Sequence, residues 1–263
     1  MIPARKRWGQ HFLSSGATAE RIVAAARLSP GESVLEIGPG DGALTRPIAA
    51  AGARLLAIEI DPLRTQSLAT EFEGRRGVSI LQGDALDKPF AEWLAEADVP
   101  APAVLVANLP YNVATPILTR ALEEPGAISR IVATIQREVA ERFVARPGSE
   151  AYGYLSLRAA AVAQGRILFD IPPGAFRPKP RVTSSVLELA PLPHALPAEV
   201  RGRALRLASL GFRSRRKTLV NALASVAARE VLENALASIG KGGRSRAEEL
   251  SFEDYVALSE RLP

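Results

Sequence analysis

The chain has 263 residues, 47% of them hydrophobic and 23% charged, with no cysteine and only two histidines, His11 and His194. The length suits one domain plus a smaller second one, and the composition excludes a disordered, collagen-like or coiled-coil chain. The lack of cysteine excludes disulfides, iron–sulfur clusters and thiol nucleophiles, two distant histidines argue against a zinc site so that no metal is expected, and the formal charge of +5 directs attention to where the excess lies.

The N-terminus carries Arg5, Lys6 and Arg7 with no apolar run behind them, unlike a secretory signal. It lacks an acid until Glu20, as mitochondrial leaders do, but a structured motif that begins by Gly9 leaves almost no room for a leader. No stretch of 18 apolar residues exists, so a cytoplasmic protein without a membrane span is expected.

A helix is predicted over 19–28. Short runs rich in Val, Ile and Leu then follow at 33–38, 54–60, 78–84, 103–108 and 130–136, each bounded by Gly, Pro or Asp. Helix-like stretches at 44–50, 62–72, 90–96, 115–123 and 138–144 separate or follow them. Near-continuous apolar strands alternating with helices predict an α/β chain whose parallel sheet is covered on both faces. Two further strands, 166–171 and 182–189, have no helix between them. Their connection holds four prolines in nine residues, 172–180, which suits neither helix nor central strand, so an antiparallel pair is expected to end the sheet. Pro191, Pro193 and Pro197 mark a linker. Beyond it, helices are predicted over 198–210, 214–228, 230–239 and 251–261, the last with a capping box from Ser251 and Asp254. The expected domains are 1–190 and 191–263.

Charge follows this division. Residues 191–263 hold twelve basic and eight acidic residues, and 201–217 holds seven basic residues and no acid. Such a block reads either as a solvated basic face or as a footprint for a phosphate backbone.

Four motifs fall at the ends of successive predicted strands. Residues 36–42, Glu-Ile-Gly-Pro-Gly-Asp-Gly, allow a tight turn and a close backbone approach to a ligand. The spacing is G-x-G-x-G, and Pro39 removes an amide that a pyrophosphate would want, which disfavours a nicotinamide enzyme. Glu59 lies where such folds hold a ribose diol. Asp84, in Gly83-Asp84-Ala85, can accept from an adenine amino group. Together these describe an adenosyl cofactor without a phosphate site. Asn108-Leu109-Pro110-Tyr111 offers an amide oxygen, backbone carbonyls and an aromatic face to the same crevice, parts that suit a planar ring bearing an amino group. Read alone, it could be a turn.

These residues, with Gly9-Gln10-His11-Phe12-Leu13, 136–142, Tyr152-Gly153, Leu155-Ser156, 171–182 and 212–219, give a sequence that resembles the small-subunit ribosomal RNA adenine dimethyltransferases nearly end to end. The resemblance implies a Rossmann-like methyltransferase sheet, parallel with an antiparallel terminal strand, plus a small all-helical C-terminal domain. It implies S-adenosylmethionine as cofactor. The substrate it implies is a pair of adjacent adenosines in the 3′-terminal hairpin of small-subunit ribosomal RNA, in an assembling subunit. Gln10, His11 and Leu13 would close the site over the cofactor; His11 stands where asparagine is also common. Gly38 and Gly40 would lie under the methionine part, Glu59 would hold the ribose and Asp84 the adenine. Asn108 and the Leu109 carbonyl would accept from the target amine, with Tyr111 and Phe176 on either face of the base. Arg213, Arg215, Arg216 and Lys217 would contact RNA phosphates. The rival readings are a large-subunit adenine methyltransferase of the resistance type and a non-catalytic assembly or transcription factor. A monomer is expected, since no long heptad or large apolar patch is evident.

Overall fold

A computed structural model of the chain describes residues 11–192, 196–214 and 216–263. Gln10, His194 and Arg215 therefore lie outside the described residues. In chain order the elements are β1 (Phe12–Leu13), α1 (Gly16–Ala26), β2 (Ser33–Ile37), α2 (Thr45–Ala50), β3 (Arg54–Glu59), α3 (Pro62–Glu71), β4 (Val78–Gln82), α4 (Phe90–Glu96), β5 (Ala103–Asn108), α5 (Ala114–Glu123), β6 (Ile128–Gln136) and α6 (Arg137–Val144). Then come α7 (Tyr154–Ala160), β7 (Ala163–Ile171), β8 (Phe176–Arg177), β9 (Ser184–Pro191), α8 (Ala198–Phe212), α9 (Leu219–Ala222), α10 (Arg229–Ser238) and α11 (Phe252–Ser259).

The main sheet has the order β4-β3-β2-β5-β6-β9-β7. The pairs β2–β3, β3–β4, β2–β5 and β5–β6 are parallel, and β6–β9 is antiparallel. All five residues of β2 are buried, as a strand covered on both faces requires. The two late strands do end the sheet, with β9 seated between β6 and β7 so that β7 is the edge. A second, two-stranded sheet pairs β1 with β8, Leu13 opposite Phe176 and Phe12 opposite Arg177.

Helix starts follow local chemistry. Ser15 caps α1 by accepting from the Thr18 amide, and Asp61 caps α3 by accepting from Leu63 with Pro62 in the first turn. The Ser251–Asp254 capping box is present. The helix expected over 214–228 is not. Only Leu219–Ala222 is helical, because Thr218 is extended at φ −67°, ψ 156° and the Leu219 amide donates to the Ser245 carbonyl instead. Helix α7, capped by Gly153, is additional to the predicted elements.

The chain divides into two compact units, 1–140 with 165–191, and 141–164 with 192–263. This corrects the expected division at 190/191. Tyr152, Leu157 and Ala161 are buried in one apolar core with Ala204, Leu207, Leu219, Leu236 and Tyr255. The Tyr152 hydroxyl donates to the Leu250 carbonyl (2.8 Å), and the Gly148 amide to that of Glu248 (2.7 Å). The first unit has its own core, which includes Ile22, Val34, Leu55, Val104, Val132 and Val186. Among the described residues no helix is long and apolar enough to cross a membrane.

Candidate functional site

In the parallel part of the sheet the chain runs β2, β3, β4 in one direction and then returns to place β5 on the other side of β2. The C-terminal ends of β2 and β5 therefore flank a topological switch point, the crevice where open α/β sheets take ligands. The glycine turn follows β2 there, and Asn108 ends β5.

The turn is built on left-handed backbone, with φ of +69° at Gly38 and +59° at Gly40. Gly38 donates to the Ile58 carbonyl (2.9 Å), which ties the turn to β3. The Gly40 amide donates to Glu59 Oε2 (2.9 Å), while Glu59 Oε1 accepts from the Asp61 amide (2.9 Å). Glu59 is buried. Burial raises its carboxyl above the ordinary range, outweighing the backbone amides of Asp61 and Gly40 that pull it down.

Two cavities share Phe12, Gly38 and Asn108 in their walls. One also has His11, Glu59, Ile60, Leu109 and Pro110; the other has Leu13, Glu36, Pro39, Asp41, Ala43 and Leu44. Glu36 is 1% exposed. Burial pushes its carboxyl up to about 8; Thr45 opposes the rise, the Glu59 charge adds to it and Arg46 opposes it. Its Oε2 has no hydrogen-bond partner, so one cavity wall holds an unpaired carboxyl oxygen.

Asn108 Nδ2 donates to the His11 carbonyl (2.8 Å). That bond uses the amide nitrogen and fixes which atom serves as the remaining acceptor, Oδ1. The Leu109 amide donates to Thr134 (3.1 Å), which holds the next peptide in register with β6. The Tyr111 hydroxyl shares a 2.7 Å hydrogen bond with Ser184, and burial raises its pKa. The His11 ring lies against the Tyr111 ring, centroids 5.2 Å apart at 31°, and its Nδ1 bonds to the Pro178 carbonyl (2.7 Å).

His11, Leu13, Gly38, Glu59, Asn108 and Leu109 thus converge on the two cavities, with Gly40 directly behind. Asp84 is in neither wall; half-buried at the end of β4, it accepts from the Leu86 amide through Oδ1 (2.9 Å). The expected aromatic pair of Tyr111 and Phe176 needs correction. Pairing of β8 with β1 turns the Phe176 ring into the core beside Leu13, Ile171 and Val186, 2% exposed. The aromatic that faces Tyr111 is His11. Arg213, Arg216 and Lys217 are exposed on the second unit, and among the described residues none of them pairs with a carboxylate.

Three contributors escaped the sequence reading. The Phe12 ring presses on Gly40 so closely that a Cβ there would lie 2.6 Å from it. Arg64, buried on α3, is paired with Asp41 of the turn and lies with its guanidinium 4.0 Å from the Phe12 ring centre. Phe12 and Asp41 fall inside the quoted motifs, whereas Arg64 gives only the weak signal of a cation three residues after Asp61.

The family model described as ribosomal RNA adenine dimethylase matches residues 1–263. A protein named ribosomal RNA small subunit methyltransferase A from Synechococcus sp. (strain JA-3-3Ab) is 41% identical over 98% of this chain and 92% of its own. The same-named protein of Thermosynechococcus vestitus is 41% identical over 100% and 98%. Among solved structures, the 23S rRNA methyltransferase ErmE is 27% identical with a TM-score of 0.75, over 95% of this chain and 99% of its own. A dimethyladenosine transferase from Plasmodium falciparum shares the fold, at 22% identity and a TM-score of 0.78, over 94% and 96%. With a full-length family match and relatives of this identity over nearly their whole lengths, the chain belongs to the ribosomal RNA adenine dimethylase family, methyltransferases that use S-adenosylmethionine.

Proposed function

We propose that this chain dimethylates the exocyclic amines of two adjacent adenosines in the 3′-terminal hairpin of small-subunit ribosomal RNA, in an assembling subunit, as a cytoplasmic monomer. The small-subunit choice is favoured by the names of the 41% identical relatives over that of the 27% identical large-subunit enzyme. The observation that carries the chemistry is the Asn108 amide at the switch point, its nitrogen spent on the His11 carbonyl and its oxygen left to accept.

The cavities suit the cofactor. Glu36 offers a buried carboxyl oxygen with no hydrogen-bond partner, neutral near pH 7 in the folded chain and drawn toward its ionised form by a ligand whose sulfonium and ammonium outnumber its carboxylate. Gly38 leaves room beneath the methionine part, while Gly40 makes room for the Phe12 ring that covers it. Glu59 would receive the ribose hydroxyls, since each of its oxygens keeps a lone pair beyond the amide bond it accepts. Asp84 has a second oxygen for the adenine amino group. His11 and Leu13 close the other side; Gln10 is assigned with them from sequence alone. S-adenosylmethionine supplies a methyl group on a sulfonium, already activated for transfer.

The target adenine must leave its stack to enter. Its amine is a poor nucleophile because the lone pair is delocalised into the ring. Asn108 Oδ1 and the Leu109 carbonyl, by accepting one hydrogen each, localise that pair and aim it. Tyr111 stays neutral and supplies the stacking face. Positioning of this kind provides most of the rate, and no strong base is needed because the proton leaves after transfer. Arg213, Arg216 and Lys217, with Arg215 from the sequence, serve as phosphate contacts.

The test incubates the protein with labelled S-adenosylmethionine and unmethylated small subunits, with naked small- and large-subunit RNA alongside. Two methyls on each of two adjacent adenosines, on subunits only, are expected. Asn108→Ala should lower transfer roughly 10²–10³-fold, the scale of losing one preorganised polar contact to the reacting group. Label on large-subunit RNA would refute the substrate, and undiminished transfer by Asn108→Ala would refute the amide's role.

A further inference from the structure

We infer that Arg64 is a positioning residue for cofactor binding, acting through Phe12 and Asp41; the inference rests on the glycine turn being the cofactor site. Arg64 is in the wall of neither cavity, so it works at one remove. Its side chain is fully buried. One nitrogen bonds to Asp41, Nε stands 3.8 Å from Asp61 Oδ2, and the guanidinium lies 4.0 Å from the Phe12 ring centre. Each partner belongs to a different segment of the site. Asp41 sits in the glycine turn. Asp61 begins α3 and gives its amide to Glu59. Phe12 belongs to β1, covers Gly40 and lines both cavities.

One planar cation therefore meets the glycine turn, the start of α3 and the Phe12 ring at once, adding a charged tie to the backbone bonds that Glu59 accepts. A guanidinium can do this because its donors fan out in a plane while its face meets an aromatic ring. The choice is not the cheap one for stability. Helix α3 buries Thr65 and Leu68 beside Arg64, and an apolar side chain there would escape the cost of desolvating a charge. The charge instead fixes the turn and the Phe12 ring relative to Glu59.

The experiment measures S-adenosylmethionine affinity of the full chain by calorimetry, with KM for the cofactor and kcat at saturating RNA, for wild type, Arg64→Leu, Arg64→Lys and Asp41→Asn. Arg64→Leu and Asp41→Asn should each weaken binding about tenfold, within the range of coupling that contacting residues share. KM should rise in step while kcat at saturating cofactor changes much less, and Arg64→Lys should recover part of the loss. The Asp41→Asn/Arg64→Leu double variant should be no weaker than the worse single one. Wild-type affinity in both single variants, measured while they are folded, would overturn the role of Arg64. A fall in kcat with KM unchanged would overturn it equally. Failure of the unaltered chain to bind would instead overturn the site itself. If Arg64→Leu does not fold, the milder Arg64→Lys decides, since Asp41 itself lines a cavity wall; wild-type affinity in Arg64→Lys would then overturn the role.

Discussion

Gly40→Ala is the most exacting probe of the site, because two separate penalties meet at one atom. The residue has φ +59°, where an L side chain costs roughly 1–2 kcal/mol. The new Cβ would lie 2.6 Å from two carbons of the Phe12 ring, and overpacking of this kind costs about 1–3 kcal/mol. The ring cannot yield freely, since Arg64 lies over it. The expected loss is roughly 2–5 kcal/mol, a large part of the 5–15 kcal/mol that holds a typical domain together. In a Phe12→Ala background the steric part vanishes and the same substitution should cost only about 1–2 kcal/mol. Urea unfolding of the four proteins, followed by tryptophan fluorescence, gives both numbers. The signal reports on the first unit, because no tryptophan lies in the second. Equal costs in the two backgrounds would refute the reasoning and leave backbone strain as the sole source.

Two further outcomes are expected. Glu36 is raised to about 8 in the folded chain. Between its ordinary value and 8 the native state keeps a proton that the unfolded chain has released, so stability should fall as pH rises through that window. At about 1.4 kcal/mol per unit the fall is roughly 3–5 kcal/mol. Glu36→Gln should flatten it, and an unchanged slope of urea midpoints between pH 5 and 8 would contradict this. Replacing Arg213, Arg216 and Lys217 with glutamine should weaken RNA binding and reduce the salt slope by about 0.7–0.9 per lost phosphate contact; an unaltered slope would show that these cations do not meet the backbone.

The sheet was legible because its central strands are buried on both faces. The runs of β2 and β5 carry almost no surface, so composition alone marks them. Glu59, Gly38 and Asn108 were legible for a related reason, since the ends of parallel strands share one edge of the sheet. What escaped depends on long-range pairing. The direction of Phe176 is set by its pairing with Leu13, more than 160 residues away. The true place of 141–164 is set by Tyr152 reaching Leu250. Arg64 reads as a surface cation in sequence and is buried only because Asp41 and Asp61 come to meet it. The helix expected over 214–228 is interrupted at Thr218, where the Leu219 amide turns to Ser245, and again at extended Ala228.

The chain's three crossings between the units, at 140/141, 164/165 and 191/192, impose an order on synthesis. The first unit has all its strands once residue 191 has emerged, and β7 can take its edge position only after β9 has been made to pair with. By then residues 141–164 are already out, with Tyr152 and Leu157 still lacking the helices that cover them. Tyr152 waits 98 residues for the carbonyl that its hydroxyl meets, roughly 5–20 s at about 5–20 residues per second. A nascent chain thus carries an apolar insert through the whole translation of its C-terminal quarter. A truncation after 191 would make that exposure permanent, so cutting at the linker removes most of the second unit without freeing the first.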